Sequence, residues 1–318
     1  REVRAEIVAN RPETAAAVLA RFRAYLDDPA VAALPMMTQR RPVELFLIGS
    51  LGVLDDASVN YDLTKGKGLL QVRAGQFKTP MGRQSIAQTA SDMFIDRSFV
   101  TYLYCDIRDV GLMAWGQAGP EKIPGLFEYY AGVFNGGGRS EYTNVDGRYQ
   151  TNFRFVVSPL GNMGYDEANP FGMPKPKLAL GYGYEHSDRR ADQTGWMAGR
   201  EYTTRGYDLL FKWRRFTAYG EYFARKSLDT HGLRTDSDGL NAQLGFLILP
   251  KRWEVFLGYW YNDPNVDRLR DRQIEKGIGT NWYFNGFTSK LQADYRKIEI
   301  QSTGYASYEF RMQYQIVF

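Results

Sequence analysis

The final segment of the chain alternates between apolar and polar side chains at almost every position. The apolar set is Tyr308, Phe310, Met312, Tyr314, Ile316 and Phe318, and the intervening set is Glu309, Arg311, Gln313, Gln315 and Val317. A period of two places these sets on opposite faces of a β-strand. A strand with one apolar face that continues to an aromatic end is typical of a barrel with lipid outside and water inside.

The same alternation recurs along the chain after residue 41. It predicts about 14 strands, many of which have one apolar face. The predicted strands are residues 44–50, 56–63, 69–77, 109–117, 126–134, 148–157, 177–186, 205–213, 216–226, 238–248, 253–262, 276–284, 288–298 and 307–318.

Connection lengths distinguish a membrane barrel from a large soluble sandwich, which would contain similar strands. Counted back from the carboxyl end, long polar connections alternate with very short ones. The long connections are residues 299–306, 263–275 and 227–237, and the short ones are 285–287, 249–252 and 214–215. Outer-membrane barrels have short periplasmic turns and longer external loops. We therefore predict an all-β fold, a transmembrane antiparallel β-barrel in the bacterial outer membrane, with residues 158–176 as a periplasmic insertion.

Composition excludes helical spanning and gives no support to nucleic-acid binding. A membrane-spanning helix needs about 18 or more apolar residues, and the nearest run, Val43 to Leu54, is shorter and contains Glu44. The 40 basic and 36 acidic residues are interspersed, whereas nucleic-acid binding needs a concentrated basic face. Cys105 is the single cysteine, so neither an internal disulfide nor a Cys-based zinc site is expected.

The first 42 residues form a separate helical segment in this prediction, and the barrel occupies residues 43–318. Pro12 opens a stretch with helical spacing that continues to about Leu26. Two interpretations remain open: an amphipathic helix packed on or inside the barrel, or a docking element for a periplasmic protein partner. No apolar segment follows Arg1 to Arg4, so an exported chain is expected here in its processed form.

Several short motifs resemble those of the phosphate-selective porin family, that is, porins O and P and their relatives. Gly75 to Gly82 reads GQFKTPMG, close to a signature of that family, and Gly220 to Lys226 reads GEYFARK. Trp253–Phe256 and Asn281–Tyr283 are similar to family segments in the same order. The resemblance runs from about Arg41 to Phe318. It implies a 16-stranded barrel, usually a homotrimer, with a long loop folded into the lumen, so we expect 14–16 strands.

A porin needs a watery lumen, a constriction and charges that favour one ion sign. Residues 78–108 form the longest external connection and are the candidate constriction loop. Six basic residues are assigned to the pore: Arg73, Lys78, Arg83, Arg97, Arg108 and Arg154. Strand positions opposite the apolar faces are basic by a modest margin, which predicts a mild anion preference. The alternative for each residue is a salt-bridged wall position, and no dense arginine ladder supports phosphate specificity.

Other motifs do not predict catalysis or metal binding. His186 and His231 stand apart from other ligands at metal spacing. The acidic stretch 263–271 has Arg268 where a calcium loop needs glycine, and Ile274 where it needs glutamate. We expect no enzymatic activity, no metal and no cofactor.

These observations lead to one main functional hypothesis and two alternatives. The main hypothesis is a porin for small anionic or neutral hydrophilic solutes, phosphate among them, embedded in outer-membrane lipid and lipopolysaccharide as a homotrimer. The first alternative is a barrel scaffold that anchors a periplasmic or cell-envelope assembly. The second is a soluble β-sandwich that binds carbohydrate through its aromatic residues.

Overall fold

The computed structural model describes residues 43–50, 53–105, 108–139, 143–144, 147–188 and 201–317, with side chains from residue 56 onward. The predicted amino-terminal segment 1–42, including the helix expected from Pro12 to Leu26, lies outside the described residues, as does Phe318.

One antiparallel sheet of 14 strands contains most of the described chain, and each strand pairs with the next in sequence. The strands are β1 (Val43–Ser50), β2 (Val53–Asp62), β3 (Gln71–Phe77), β4 (Asp109–Ala118), β5 (Phe127–Phe134), β6 (Gln150–Val157), β7 (Met173–Ser187), β8 (Glu201–Arg214), β9 (Phe216–Leu228), β10 (Arg234–Leu249), β11 (Trp253–Asp263), β12 (Gln273–Asn285), β13 (Ser289–Ile300) and β14 (Tyr305–Ile316).

Every predicted strand overlaps an observed one, and the largest differences are four residues, at the starts of β7, β8 and β10. β10 begins at Arg234 rather than 238, because its pairing with β9 starts before the apolar alternation of the strand begins. At the opposite end the turns are as short as predicted. β8 and β9 are joined through Arg215 alone, and Arg214 adopts a φ of 51° to make that turn.

The apolar faces of the strands point away from the interior. Leu244 is 49% exposed, Leu257 55%, Ile278 55% and Phe310 69%. Neighbouring strands repeat this pattern, so the apolar surface is continuous and far larger than the patches that water-soluble monomers expose. Two stacked sheets would bury these faces in a core, so the soluble-sandwich alternative is wrong. The apolar band requires a lipid environment.

Contacts with one loop show that the sheet curls around it. Residues 78–108 touch Asp56 on β2 through Arg108, Arg154 on β6 through Met81, and Gln315 on β14 through Ala90. A single connection reaches strands at both ends of a 14-stranded sheet only when the sheet encloses it as a barrel. Within the described residues β1 and β14 each have one hydrogen-bonded neighbour. A further strand pair, as the porin resemblance implies, would fall in residues 1–42, which are not described.

The enclosed loop contains short helices that the sequence pattern did not predict. They are α1 (Arg83–Ile86), a 3₁₀ turn (Thr89–Ser91) and α2 (Phe99–Tyr104). Ser98 caps α2, because its hydroxyl accepts a hydrogen bond from the amide of Val100 at 3.1 Å. These helices are too short to have shown an apolar period in the sequence.

A second connection also enters the barrel, from the opposite end. Residues 158–172 join β6 to β7 on the short-turn side, as predicted, although β7 already begins at Met173. The segment turns inward instead of extending into the periplasm. Glu167 and Ala168 are buried, and the Ala168 amide donates to the Ser91 carbonyl at 3.0 Å. The two insertions therefore meet inside the lumen.

Candidate functional site

A buried ion-paired group fixes the start of the constriction loop to the barrel wall. Asp208 on β8 pairs with two arginines, one through each carboxylate oxygen. Its Oδ1 lies 2.7 Å from Arg83 Nε, and its Oδ2 lies 2.7 Å from Arg154 Nη2. All three side chains are at most 2% exposed. Arg154 on β6 also donates to the Met81 carbonyl at 3.0 Å. Arg83 and Arg154 therefore hold the loop against β6 and β8.

The second insertion completes this anchor. Arg83 Nη1 donates to the Gly164 carbonyl at 3.0 Å. The Tyr165 ring lies 4.8 Å from the Arg83 guanidinium and 5.8 Å from that of Arg154. Cations packed on an aromatic face are stabilised further when water is excluded. The same arginine thus links the strand wall to both insertions.

Gln84 connects the start of the loop to the second insertion and to the later part of the loop. Its Nε2 donates to Glu167 Oε1 at 2.6 Å, and its Oε1 accepts from Thr101 Oγ1 at 2.6 Å. Glu221 on β9 accepts from the backbone amides of Arg83 at 2.6 Å and Gln84 at 3.1 Å. Burial, with a smaller contribution from the charge of Asp92, raises the pKa of Glu167 well above its ordinary value.

The middle of the loop rests on β11–β13. Lys290 Nζ donates to the Asp92 carbonyl at 3.1 Å, and Asn281 Nδ2 donates to the Met93 carbonyl at 3.2 Å. The Phe94 ring packs edge-on against Phe256 at 4.6 Å and Trp260 at 4.7 Å. The middle of the loop is therefore packed against the inner faces of β11–β13.

Glycines at inward strand positions make room for the loop. A Cβ on Gly183 of β7 would overlap the Met81 carbonyl oxygen. On Gly245 of β10 it would lie 3.0 Å from the Met93 sulfur. These glycines are the sequence signal for close packing inside the barrel, since a strand glycine often marks such an approach.

We expect Gly183→Ala to destabilise the barrel by about 1–3 kcal/mol, the usual cost of overpacking. The added methyl has no free space, because its neighbour is loop backbone rather than a flexible side chain. Gly220→Ala on β9 is the matched control, since the nearest atom to its Cβ is the Asn241 carbonyl at 3.8 Å. Thermal unfolding in detergent, followed by circular dichroism, measures both. Equal midpoints would contradict the close approach.

Lys78 and Arg97 stabilise the loop from within. Lys78 Nζ donates to the carbonyls of Ile86, at 3.1 Å, and Ala87. Arg97 Nη2 donates to the same Ala87 carbonyl at 2.8 Å, and its Nε lies 3.9 Å from Asp92 Oδ2. Burial, with the charges of Arg97 and Arg108, lowers the pKa of Lys78 to about 7. Lys78 therefore changes charge near neutral pH.

A small cavity remains between the loop and the β2–β5 wall. Its volume is about 120 Å³, and its lining includes Asp56, Arg73, Phe77, Lys78 and Tyr130. Arg108 lies at its edge, where its Nε is 2.9 Å from Asp56 Oδ1. When Lys78 is protonated, three cations and one carboxylate surround the cavity, so its local charge is then positive.

The six predicted pore residues are distributed over two environments. Arg83, Arg97 and Arg154 lie in contacts that hold the loop, and all three are at most 5% exposed. Arg73 and Lys78 line the remaining cavity, with Arg108 beside it. The effect of all six residues on ion selectivity stays a prediction. The partners Gln84, Tyr165 and Glu167 were not singled out, because they lie in irregular segments where alternation assigns no face.

The wall as a whole is less basic than the alternation suggested. Described inward positions on the strands carry more acids than bases. The acids are Asp56, Asp62, Asp109, Glu128, Glu185, Asp208, Glu221, Glu254, Glu275, Asp294 and Glu309, and the bases are Arg73, Arg154, Lys177, Lys212, Arg225, Lys290, Arg296 and Arg311. Arg148 and Arg214 lie near strand ends and are exposed. The charge of the strand wall therefore does not support the predicted anion preference.

The remaining motifs have ordinary structural contacts. His186 Nδ1 lies 3.0 Å from Thr203 Oγ1. Asp263, in the stretch compared with a calcium loop, pairs with Arg272 at 2.8 Å. Among the described residues no group of three or more His, Cys, Asp or Glu side chains is placed to hold a metal ion. The helices of the described ranges include none that is long and apolar enough to cross a membrane.

The sequential antiparallel sheet, the outward apolar band and the polar interior define a bacterial outer-membrane β-barrel. Solved structures of outer-membrane proteins share this fold. A loop L8 deletion mutant of OmpT from Vibrio cholerae aligns with 82% of this chain and 80% of its own, at 11% identity and a TM-score of 0.53. OmpT itself, from the same organism, aligns with 77% of this chain and 70% of its own, at 11% identity and a TM-score of 0.49. At this identity the first similarity supports the fold and nothing finer.

No family model matches the chain, and no curated protein is significantly similar to it in sequence.

Proposed function

We propose that this barrel is a porin that lets small hydrophilic solutes diffuse across the outer membrane, with a mild preference for anions. The observation that supports the proposal is the loop of residues 78–108, which enters the lumen and is fixed to the wall while a cavity remains on its β2–β5 side. A loop that narrows a polar lumen is what a size-selecting pore requires. The proposal involves no catalytic step and no cofactor.

The resemblance of the Gly75–Gly82 segment to phosphate-selective porins supports the same proposal. With it come a homotrimeric assembly and an anionic class of solute; the homotrimer rests on that resemblance alone. The exposed apolar band supports contact with outer-membrane lipid, and the proposal includes lipopolysaccharide as part of that membrane.

Planar-bilayer recordings of the purified full chain test the pore directly. We expect discrete open steps of small conductance, because the loop and the second insertion fill much of the lumen. A barrel that inserts but stays silent would contradict the proposal.

The anion preference has its own test, the reversal potential in a salt gradient. We expect Arg73→Gln and Lys78→Gln each to shift the reversal potential toward cation preference, because each removes a positive charge at the cavity. Raising the pH through the Lys78 pKa of about 7 should cause the same shift in the unmodified chain, since the ammonium loses its proton. The shift should be absent in Lys78→Gln.

Lys122→Gln is the matched control for this series. Lys122 lies on the connection between β4 and β5, at the opposite end of the barrel from the point where the loop enters. The Lys122→Gln substitution removes one positive charge and leaves the cavity lining unchanged. An equal shift from Lys122→Gln would show that overall charge, rather than the cavity, sets the preference.

The filled lumen also favours one alternative, a closed barrel that acts as a membrane scaffold. Glu167 to Asn169 turn inward, so only the rim of the second insertion, near Leu160 and Phe171, is exposed to a periplasmic partner. Silent barrels that copurify with envelope proteins would support this alternative.

A further inference from the structure

The cavity beside the loop has the chemistry of a solute-binding site. On its wall side lies an apolar cluster of Phe77, Met113, Tyr130 and Phe134, with Trp115 packed against it. This cluster is separate from the large core that surrounds the loop. The Trp115 and Tyr130 rings stack in parallel, with their centres 5.8 Å apart, and this contact stabilises this part of the wall.

A guanidinium is held within these aromatic side chains. The Arg73 guanidinium carbon lies 5.6 Å from the Phe77 ring centre and 5.4 Å from that of Trp115. An arginine fixed between rings presents its planar group in one orientation, which suits bidentate recognition of a carboxylate. Lys78 adds a second positive group on the loop side of the same cavity.

The apolar lining and the volume limit what else can enter. Pro80 and Ile86 of the loop line the cavity together with Met113 and Tyr130 of the wall. A volume of about 120 Å³ is close to the roughly 150 Å³ of an engineered apolar cavity that takes up benzene. The occupant is therefore small, with a body no larger than about one ring.

We propose that this cavity binds a small carboxylate with an apolar body of single-ring size, as a selective step in its passage through the barrel. The inference rests on the proposed pore function and names its solute class. Inorganic phosphate has no apolar part to occupy the Phe77–Met113–Tyr130 surface. Organic cations are disfavoured by Arg73 and Lys78.

The test uses the purified full chain in detergent and 4-fluorobenzoate as the probe, observed by ¹⁹F NMR line broadening. We expect benzoate to displace the probe, whereas acetate, benzamide and inorganic phosphate should each displace it at least tenfold less well. Benzamide keeps the ring without the charge, and acetate keeps the charge without the ring. Displacement by phosphate as effective as by benzoate would overturn the inference, as would equal displacement by benzamide.

Two variants examine the site from its charged and apolar sides. Arg73→Gln should weaken probe binding at least tenfold. Ser58→Leu keeps both cations and places a larger side chain on the cavity lining, where Ser58 lies, so it should exclude benzoate while acetate still enters. Lys122→Gln is the control and should bind as the unmodified chain does. Unchanged binding in both Arg73→Gln and Ser58→Leu would place the probe elsewhere.

The same preparations in planar bilayers separate this inference from the pore itself. A barrel that conducts but does not distinguish benzoate from benzamide refutes the solute class and leaves the pore proposal intact. A barrel that binds benzoate but never conducts refutes the pore and leaves the binding site.

Discussion

Replacing residues 84–104 with a short Gly-Ser linker is expected to raise the single-channel conductance several-fold. This segment contributes Phe94, Val100 and Tyr104 to the packed interior and occupies the lumen along the inner faces of β8–β14. The segment is not part of the strand ladder, since every strand pair in the described chain joins consecutive strands. Without the segment, water and ions should fill that part of the barrel.

The replacement keeps Arg83, so the ion-paired group with Asp208 and Arg154 remains and the loop change is isolated. The matched control replaces residues 229–233, the external connection between β9 and β10, with a linker of equal length. That variant should conduct as the unmodified chain does. If both variants showed the same small steps, the narrowest point would have to lie elsewhere, and the constriction assigned to the loop would be refuted.

The same replacement also shows whether the second insertion, residues 158–172, limits the conductance that remains. Glu167 holds Gln84 and the Met93 amide, at 2.6 Å and 3.2 Å, so the second insertion is braced against the segment that the linker replaces. After replacement this brace is lost. A conductance that is noisy as well as large would indicate that residues 158–172 then move within the lumen.

The strands could be predicted from the sequence because lipid and water impose alternate polarity on each of them. Leu240 to Ile248 alternate with Asn241, Gln243 and Gly245 because one set meets lipid and the other meets the interior. The short turns at Arg215 and Gly286 follow from the same architecture. These are local rules, so one sequence is sufficient to apply them.

The interior could not be predicted in the same way, since its contacts join residues far apart in the chain. Arg83 lies 125 positions from Asp208, and both are polar residues that alternation assigns to a watery lumen. In the structure both side chains are buried and form an ion pair. The sequence therefore located the long loop but not its anchor, and it described Arg83 and Arg154 as pore charges. The inward glycines, Gly183 above all, were the available signal of close packing.

The strongest single-residue effect is expected from Asp208→Asn. The carboxylate compensates two guanidinium groups, those of Arg83 and Arg154, and all three side chains are almost fully buried. Asparagine keeps the size and one hydrogen-bond acceptor but removes the charge. Breaking a buried ion pair in this way leaves uncompensated cations and costs about 3–5 kcal/mol. We expect a lower thermal unfolding midpoint in detergent and release of the start of the loop.

Asp236→Asn is the control, because Asp236 pairs with Arg234 in an exposed ion pair at 2.9 Å on β10. Solvent screens that pair, so its loss should leave the unfolding midpoint almost unchanged. Loop release has a separate readout: limited proteolysis should cut Asp208→Asn within residues 78–108 and leave Asp236→Asn intact. A double variant, Asp208→Asn with Arg154→Gln, removes one of the two stranded cations and should recover part of the lost stability. Equal midpoints for the single and double variants would show that charge compensation is not what Asp208 provides, and its contribution would then be that of an ordinary hydrogen-bond acceptor.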